Sequence, residues 1–140
     1  DLPELHNEVV LDEHLTDGDG MPAAKVNYRV SDNSKAMMRF ALERGKEALT
    51  AAGATSFMRV MSPMPGAGWH NMGTARMGSD SANSVVNEWG RSHDVKNLFV
   101  IDGSIFVTSA AVNPTSTIQA LALYIASSIK DRLADGSLFD

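Results

Sequence analysis

The segment Asn97-Leu98-Phe99-Val100-Ile101, cut off by Asp102-Gly103-Ser104, constrains this chain more than any other feature. A short apolar run without polar alternation reads as a strand buried on both faces, as in a parallel sheet. An amphipathic helix is expected soon after it, from about Ser116 to Leu133. There Ile118, Leu121, Ala122, Ile125, Ile129 and Leu133 keep the i, i+3, i+4, i+7 spacing of one buried face. Asn113-Pro114-Thr115 carries the entry signals, a proline near the first turn and threonine or serine as cap. Asp102-Gly103 at the C-terminal end of such a strand stands where ligands of open α/β sheets collect.

The N-terminal half reads differently. Residues 1–24 are polar and turn-rich around the apolar triplet Val9-Val10-Leu11, with a turn expected at Asp17-Gly18-Asp19-Gly20. Val26, Tyr28 and Val30 alternate with Lys25, Asn27, Arg29 and Ser31, which predicts a half-buried strand. Asp32 or Ser34 can cap a helix over 34–52, with Met38, Ala41, Leu42, Gly45, Leu49 and Ala52 on one stripe and Gly53 ending it. Phe57 to Met61 is expected to be a strand that returns to pair with the first. Ser62 to Gly68, with two prolines and two glycines, forms a loop. There are no internal repeats, and the class is α+β or part of a larger α/β protein.

Composition removes several functions. The chain has 140 residues, 44% of them hydrophobic, and 12 basic against 17 acidic residues give a net charge of −5. No basic cluster is present, so nucleic acid and anionic membranes lack the positive footprint that they require. Zero cysteine excludes a disulfide scaffold, a thiol nucleophile and thiolate metal sites. No apolar run approaches the roughly 20 residues that span a bilayer; the longest, Ala120 to Ile129, is broken by serines. The start at Asp1, without a basic stretch, suggests a processed chain or an excised piece rather than a secretory signal.

Two apparent motifs fail on context. Gly18-Asp19-Gly20-Met21-Pro22-Ala23 fits G-x-G-x-x-A, but a strand follows where a dinucleotide site needs a helix, and Pro22 removes an amide. The same residues begin a calcium loop that Met21 breaks. His6, His14 and His93 lie in polar segments and read as solvated. His70 sits instead in the glycine-rich loop Gly66 to Gly78, which is costly to order unless it packs against something. It reads either as a buried histidine bonded to a carbonyl or as a general base, since imidazole accepts a proton near neutrality. Met58, Met61, Met64, Met72 and Met77 read as adaptable core filler. Asn113 either caps the following helix or donates a hydrogen bond to a substrate oxygen. The first amides of that helix suit an anion or an electron-rich ring.

Together these segments resemble a family. Gly68-Trp69-His70-Asn71-Met72-Gly73-Thr74-Ala75-Arg76-Met77-Gly78 comes first, then Ser84-Val85-Val86-Asn87 and Asn97 to Ser104. Val112-Asn113-Pro114-Thr115-Ser116-Thr117-Ile118-Gln119-Ala120-Leu121-Ala122 closes the set. The order is similar to the C-terminal part of the glucose–methanol–choline (GMC) flavin oxidoreductases, with the flavour of sugar and gluconate dehydrogenases. The strong match covers about 68–133; the segment at 7–12 and the strand–helix–strand at 25–61 also resemble that family's substrate domain. The sequence departs from the pattern at Asn87 for aspartate, Val107 for proline and Tyr124 for arginine.

The resemblance implies an FAD-dependent oxidation of an alcohol or sugar. His70 would be the base that takes the hydroxyl proton as hydride leaves for flavin N5, and Asn113 its partner on the substrate oxygen. Asp102 and Gly103 would contact the ribityl and phosphate region of FAD. Asn113, Pro114 and Thr115 would lie beside the flavin's N1–C2 edge. The expected fold is an α+β fragment of a larger α/β flavoprotein. Residues 1–67 would belong to the substrate-binding domain, as antiparallel strands with a helix. Residues 68–140 would carry the active-site loop, strand and helix returning to the FAD-binding domain. No valid G-x-G-x-x-G exists here, so an N-terminal FAD-binding portion or subunit is an expected partner. The alternative is a non-catalytic module that packs on a partner chain and binds no flavin alone.

Overall fold

β1 (Glu8–Thr16) and β2 (Pro22–Asn27) pair antiparallel, α1 (Asp32–Ala51) follows, and α2 (Thr115–Asp135) comes after a long run of turns and bridges. The computed structural model describes residues 2–58, 68–110 and 112–138. Two antiparallel strands and two helices give the expected α+β class. Among the described residues no helix is long and apolar enough to cross a membrane. The chain divides into two compact units, Asp1–Trp69 and His70–Asp140.

In the first unit, β1 extends well beyond the Val9-Val10-Leu11 triplet, and β2 begins and ends earlier than the alternation of 25–31 predicts. Val9 pairs with Val26 and Leu11 with Ala24, so these four share one face, and all four are exposed. The pairing slips between Leu11 and Thr16. Asp12 causes the slip: its carboxylate accepts the amides of His14 and Leu15, both at 2.9 Å, and curls the strand there. Asp17 makes the expected turn, accepting from the amides of Asp19 (2.9 Å) and Met21 (3.0 Å). The apparent dinucleotide motif is therefore a hairpin connection.

Ser31 caps α1 by accepting the Ser34 amide at 3.1 Å, so the cap lies one residue before the expected Asp32 and three before Ser34. Gly53, at φ +97°, ends the helix as expected. Of the expected stripe only Met38 is even half-buried. Local terms hold α1 instead: the cap and the ion pairs Lys35–Asp32, Arg44–Glu47 and Lys46–Glu43. Each such pair, exposed to solvent, contributes little by itself. Phe57 and Met58 form no strand, and Met58 is 94% exposed rather than core filler. Residues 59–61 of that expected strand, and Met64, lie outside the described residues.

The second unit carries the apolar core. Val86, Ile105 and Ile125 are fully buried, with Met77, Val100, Ile101, Phe106, Leu121 and Ile129 packed around them. Burying one such aliphatic side chain contributes about 1.5–3 kcal/mol. Ile125 and its neighbours on α2 form the buried face that the sequence predicts, except Leu133, which is exposed.

The run 97–101 does not form an extended strand. It pairs at a single bridge, Arg91 with Phe99, flanked by Ser92 N–H to Leu98 O at 2.9 Å and Val100 N–H to Gly90 O at 2.8 Å. The partner segment is too short for more, because Gly90 turns it in the left-handed region at φ +69°. A Cβ at Gly90 would lie 2.5 Å from Val100 O, an approach that only glycine permits. Asn87 accepts the amides of Trp89 and Arg91 at 3.0 and 3.1 Å, a role that asparagine shares with aspartate. Tyr124 stacks on Trp89, and the Arg132 guanidinium lies 4.9 Å from the Trp89 ring centroid. Arg91, buried, donates from its Nη1 to Leu138 O at 2.9 Å and fastens the chain beyond α2 to this loop.

Candidate functional site

Beyond His70, segment 73–77 of the glycine-rich loop packs on the turn after residue 101. Gly73 N–H donates to Gly103 O at 3.4 Å, Ala75 N–H to Ser104 O at 2.9 Å and Met77 N–H to Ile105 O at 2.8 Å. These rungs lay segment 73–77 along the 3₁₀ turn Gly103–Ile105. Ile105 is 1% exposed, so the last rung is anchored in the core.

Asp102 caps that turn. Its carboxylate accepts the Ser104 amide at 2.8 Å. Bonding from the Ser104 hydroxyl, and then from its amide, holds the Asp102 carboxyl below the usual carboxylate value. Gly103 is the meeting point of the segments. A Cβ there would lie 3.2 Å from Ile118 Cδ1 on the first turn of α2 and 3.5 Å from Asn71 O. The three segments singled out in the sequence thus converge on one turn: 71–77, 102–105 and the start of α2.

His70 is exposed in this chain. Asn113 and Thr115 are exposed and Pro114 is half-buried. Pro114 occupies the N-cap position of α2 with no side-chain cap bond, so neither Asn113 nor the threonine or serine caps this helix. Ile118 N–H bonds to Pro114 O at 2.9 Å, whereas the preceding amides have no partner within a helix. Proline can end a helix N-terminally because the donor it lacks would be unused there.

The sequence reading missed His93. It is half-buried, with Nε2 2.9 Å from Ser84 Oγ and 3.1 Å from Gly78 O. A carbonyl can only accept, so Nε2 carries the proton. The Ser84 hydroxyl is spent on Asp80 O at 2.6 Å, so this serine–histidine contact is a loop staple, not a nucleophile with its base. Its partners lie nine and fifteen residues away in an irregular loop, where no periodicity could signal them. His6 and His14 are exposed, as expected.

Residues 3–122 match the family model described as GMC oxidoreductase, for its C-terminal domain. The chain is 46% identical over 137 residues to 2-methyl-1,2-propanediol dehydrogenase of Mycolicibacterium austroafricanum, covering 96% of this chain and 24% of that protein. Against the fructose dehydrogenase large subunit of Gluconobacter japonicus identity is 33% over 135 residues, covering 96% and 24%. Against pyranose 2-oxidase of Lyophyllum shimeji it is 31% over 138 residues, covering 96% and 22%. The chain spans about a quarter of the length of these relatives.

Proposed function

Since the chain belongs to the GMC oxidoreductase family, we propose that it forms the substrate side of the active site in an FAD-dependent enzyme that oxidises a CH–OH group. In this reading 1–67 belongs to the substrate-binding domain and 68–140 carries the active-site loop and flavin-edge helix. The substrate class is a small polyol or sugar, the kind of compound for which the three relatives are named.

The observation that carries the reading is the convergence on Gly103. The His70 loop, the Asp102 turn and the first turn of α2 are bonded or packed there within one unit. The residues fit a flavin. The uncapped amides at the start of the 21-residue α2 present the positive end of a helix, suited to the electron-rich N1–C2 edge. Gly103 lets Ile118 and the Asn71 carbonyl pack close to its backbone, and the exposed Asp102 beside it offers a hydrogen-bond acceptor for ribityl hydroxyls.

Bound there, the flavin supplies the acceptor for the hydride that leaves the carbinol carbon. The chain's own residues handle the proton and the oxygen. His70 takes the hydroxyl proton on a ring nitrogen as the C–H bond breaks. Asn113 donates from its amide to the same oxygen and holds the carbinol in one orientation. The amides of Thr115 and the following residues favour negative charge beside them without reorganisation.

The test is substrate-dependent flavin reduction in the holoenzyme. His70→Ala is expected to slow it by about 10²–10⁴ while the yellow flavin absorbance stays intact; an unchanged rate would remove His70 from the chemistry. Asn113→Ala is expected to slow the same step at unchanged melting temperature. A lower melting temperature with normal kinetics would instead make Asn113 structural.

A further inference from the structure

We propose that Gly73 is a positioning residue that sets the reach of His70 by seating its loop on the Gly103–Phe106 backbone. The inference rests on the reading of His70 as proton acceptor. Gly73 adopts left-handed backbone at φ +86°, and a Cβ there would lie 3.0 Å from Phe106 O. That oxygen is a poor candidate to yield. Phe106 N–H bonds back to Gly103 O at 3.3 Å, and Ile105 beside it is fully in the core.

The loop beyond Gly73 is held as well, by Ala75 N–H to Ser104 O at 2.9 Å and Met77 N–H to Ile105 O at 2.8 Å. His70 therefore lies three residues before the first of the backbone bonds that seat this segment, Gly73 N–H to Gly103 O at 3.4 Å. Its own side chain is exposed, free to meet a substrate. A methyl at Gly73 must push the loop outward by a few tenths of an ångström. Misplacement of a catalytic group by about 1 Å can cost about 100-fold in rate.

Gly136 supplies the control. It belongs to the same unit and has nearly the same backbone, φ +82°, yet nothing lies within 4 Å of a Cβ built on it. Alanine at either position meets the same left-handed strain, and only Gly73 adds the collision.

In the holoenzyme, Gly73→Ala is expected to slow flavin reduction by roughly 3–10-fold with flavin absorbance retained. Gly136→Ala should lower the melting temperature and leave the rate unchanged. The double variant Gly73→Ala/His70→Ala should be no slower than His70→Ala alone, because Gly73 acts through that imidazole. A wild-type rate in folded Gly73→Ala, or a further loss in the double variant, overturns the proposal. A wild-type rate in His70→Ala overturns the reading of His70 and the positioning role with it. A slow His70→Ala beside a fast Gly73→Ala overturns only the latter. If Gly73→Ala does not fold, Gly73→Asn keeps the Cβ on a residue that tolerates left-handed backbone. Loss of folded, flavin-bound protein in both makes Gly73 a folding determinant and ends the proposal.

Discussion

The first unit has nearly all the regular pairing and almost no core; the second has one long helix, single bridges and the core. Among the described residues of the first unit only Ser34 is buried, at the first turn of α1 where its amide donates to the Ser31 cap. In the second unit Val86, Ile105 and Ile125 are buried under a chain that is irregular for most of its length before α2. Regularity and burial are separate properties here. The hairpin and α1 follow from backbone pairing, an Asx turn, a serine cap and ion pairs, all of them local. The second unit depends on long-range fits that place one backbone against another.

Core truncation probes this contrast most strongly. Ile125→Ala is expected to destabilise by about 3–4 kcal/mol, from lost burial and the cavity left behind. Phe40→Ala on α1, where the ring is 68% exposed, should cost no more than about 0.5 kcal/mol. Chemical denaturation of both variants measures the pair. A comparable loss at Phe40 would show that the face of α1 is covered in the folded protein and would dissolve the contrast.

Glycines sharpen it next. Gly90→Ala meets Val100 O at 2.5 Å and should cost about 2–3 kcal/mol. Gly53→Ala, with nothing within 4 Å, should cost about 1 kcal/mol from backbone strain alone. Equal thermal shifts in the two variants would mean that the second unit adapts more readily than its close contacts indicate.

An effect of about the size expected at Gly53 concerns Asp102. Its folded value is held below the ordinary 3.8, so its ionised form stabilises the turn. That contribution is present above the unfolded value and is lost as pH falls through the folded one. Asp102→Ala should cost about 1 kcal/mol at neutral pH, the usual worth of a cap. The difference from wild type should shrink as pH drops below about 3.8. A gap that stays constant through an acid titration of stability would assign the cost to something other than the ionised cap.

The same contrast explains what could be read from sequence. α1 and α2 were legible because a helix writes its period, caps and glycine stop into neighbouring residues. Ser31 against Asp32 or Ser34 was a choice among adjacent polar residues that only the backbone resolves. β1 was obscured by Asp12, whose carboxylate bends a strand that the apolar triplet only hinted at. The run 97–101 looked like a strand buried on both faces because its residues are apolar, yet none of the five is fully buried in this chain and its neighbours allow one bridge. That the loop around His70 needs a packing partner was legible from its glycine content, since such a loop is costly to order alone. That the partner is the Gly103–Ile105 turn was not legible, since hydrogen bonds between irregular segments leave no spacing in the sequence. His93 and Arg91 stayed hidden for the same reason.

The bond from Arg91 to Leu138 O also sets a clock. Its two ends are separated by 47 residues, with all of α2 between them. On a ribosome adding about 5–20 residues per second, Arg91 waits roughly 2–9 s for its acceptor to be synthesised. The tie that holds the far end of α2 can therefore form only after synthesis has passed Leu138.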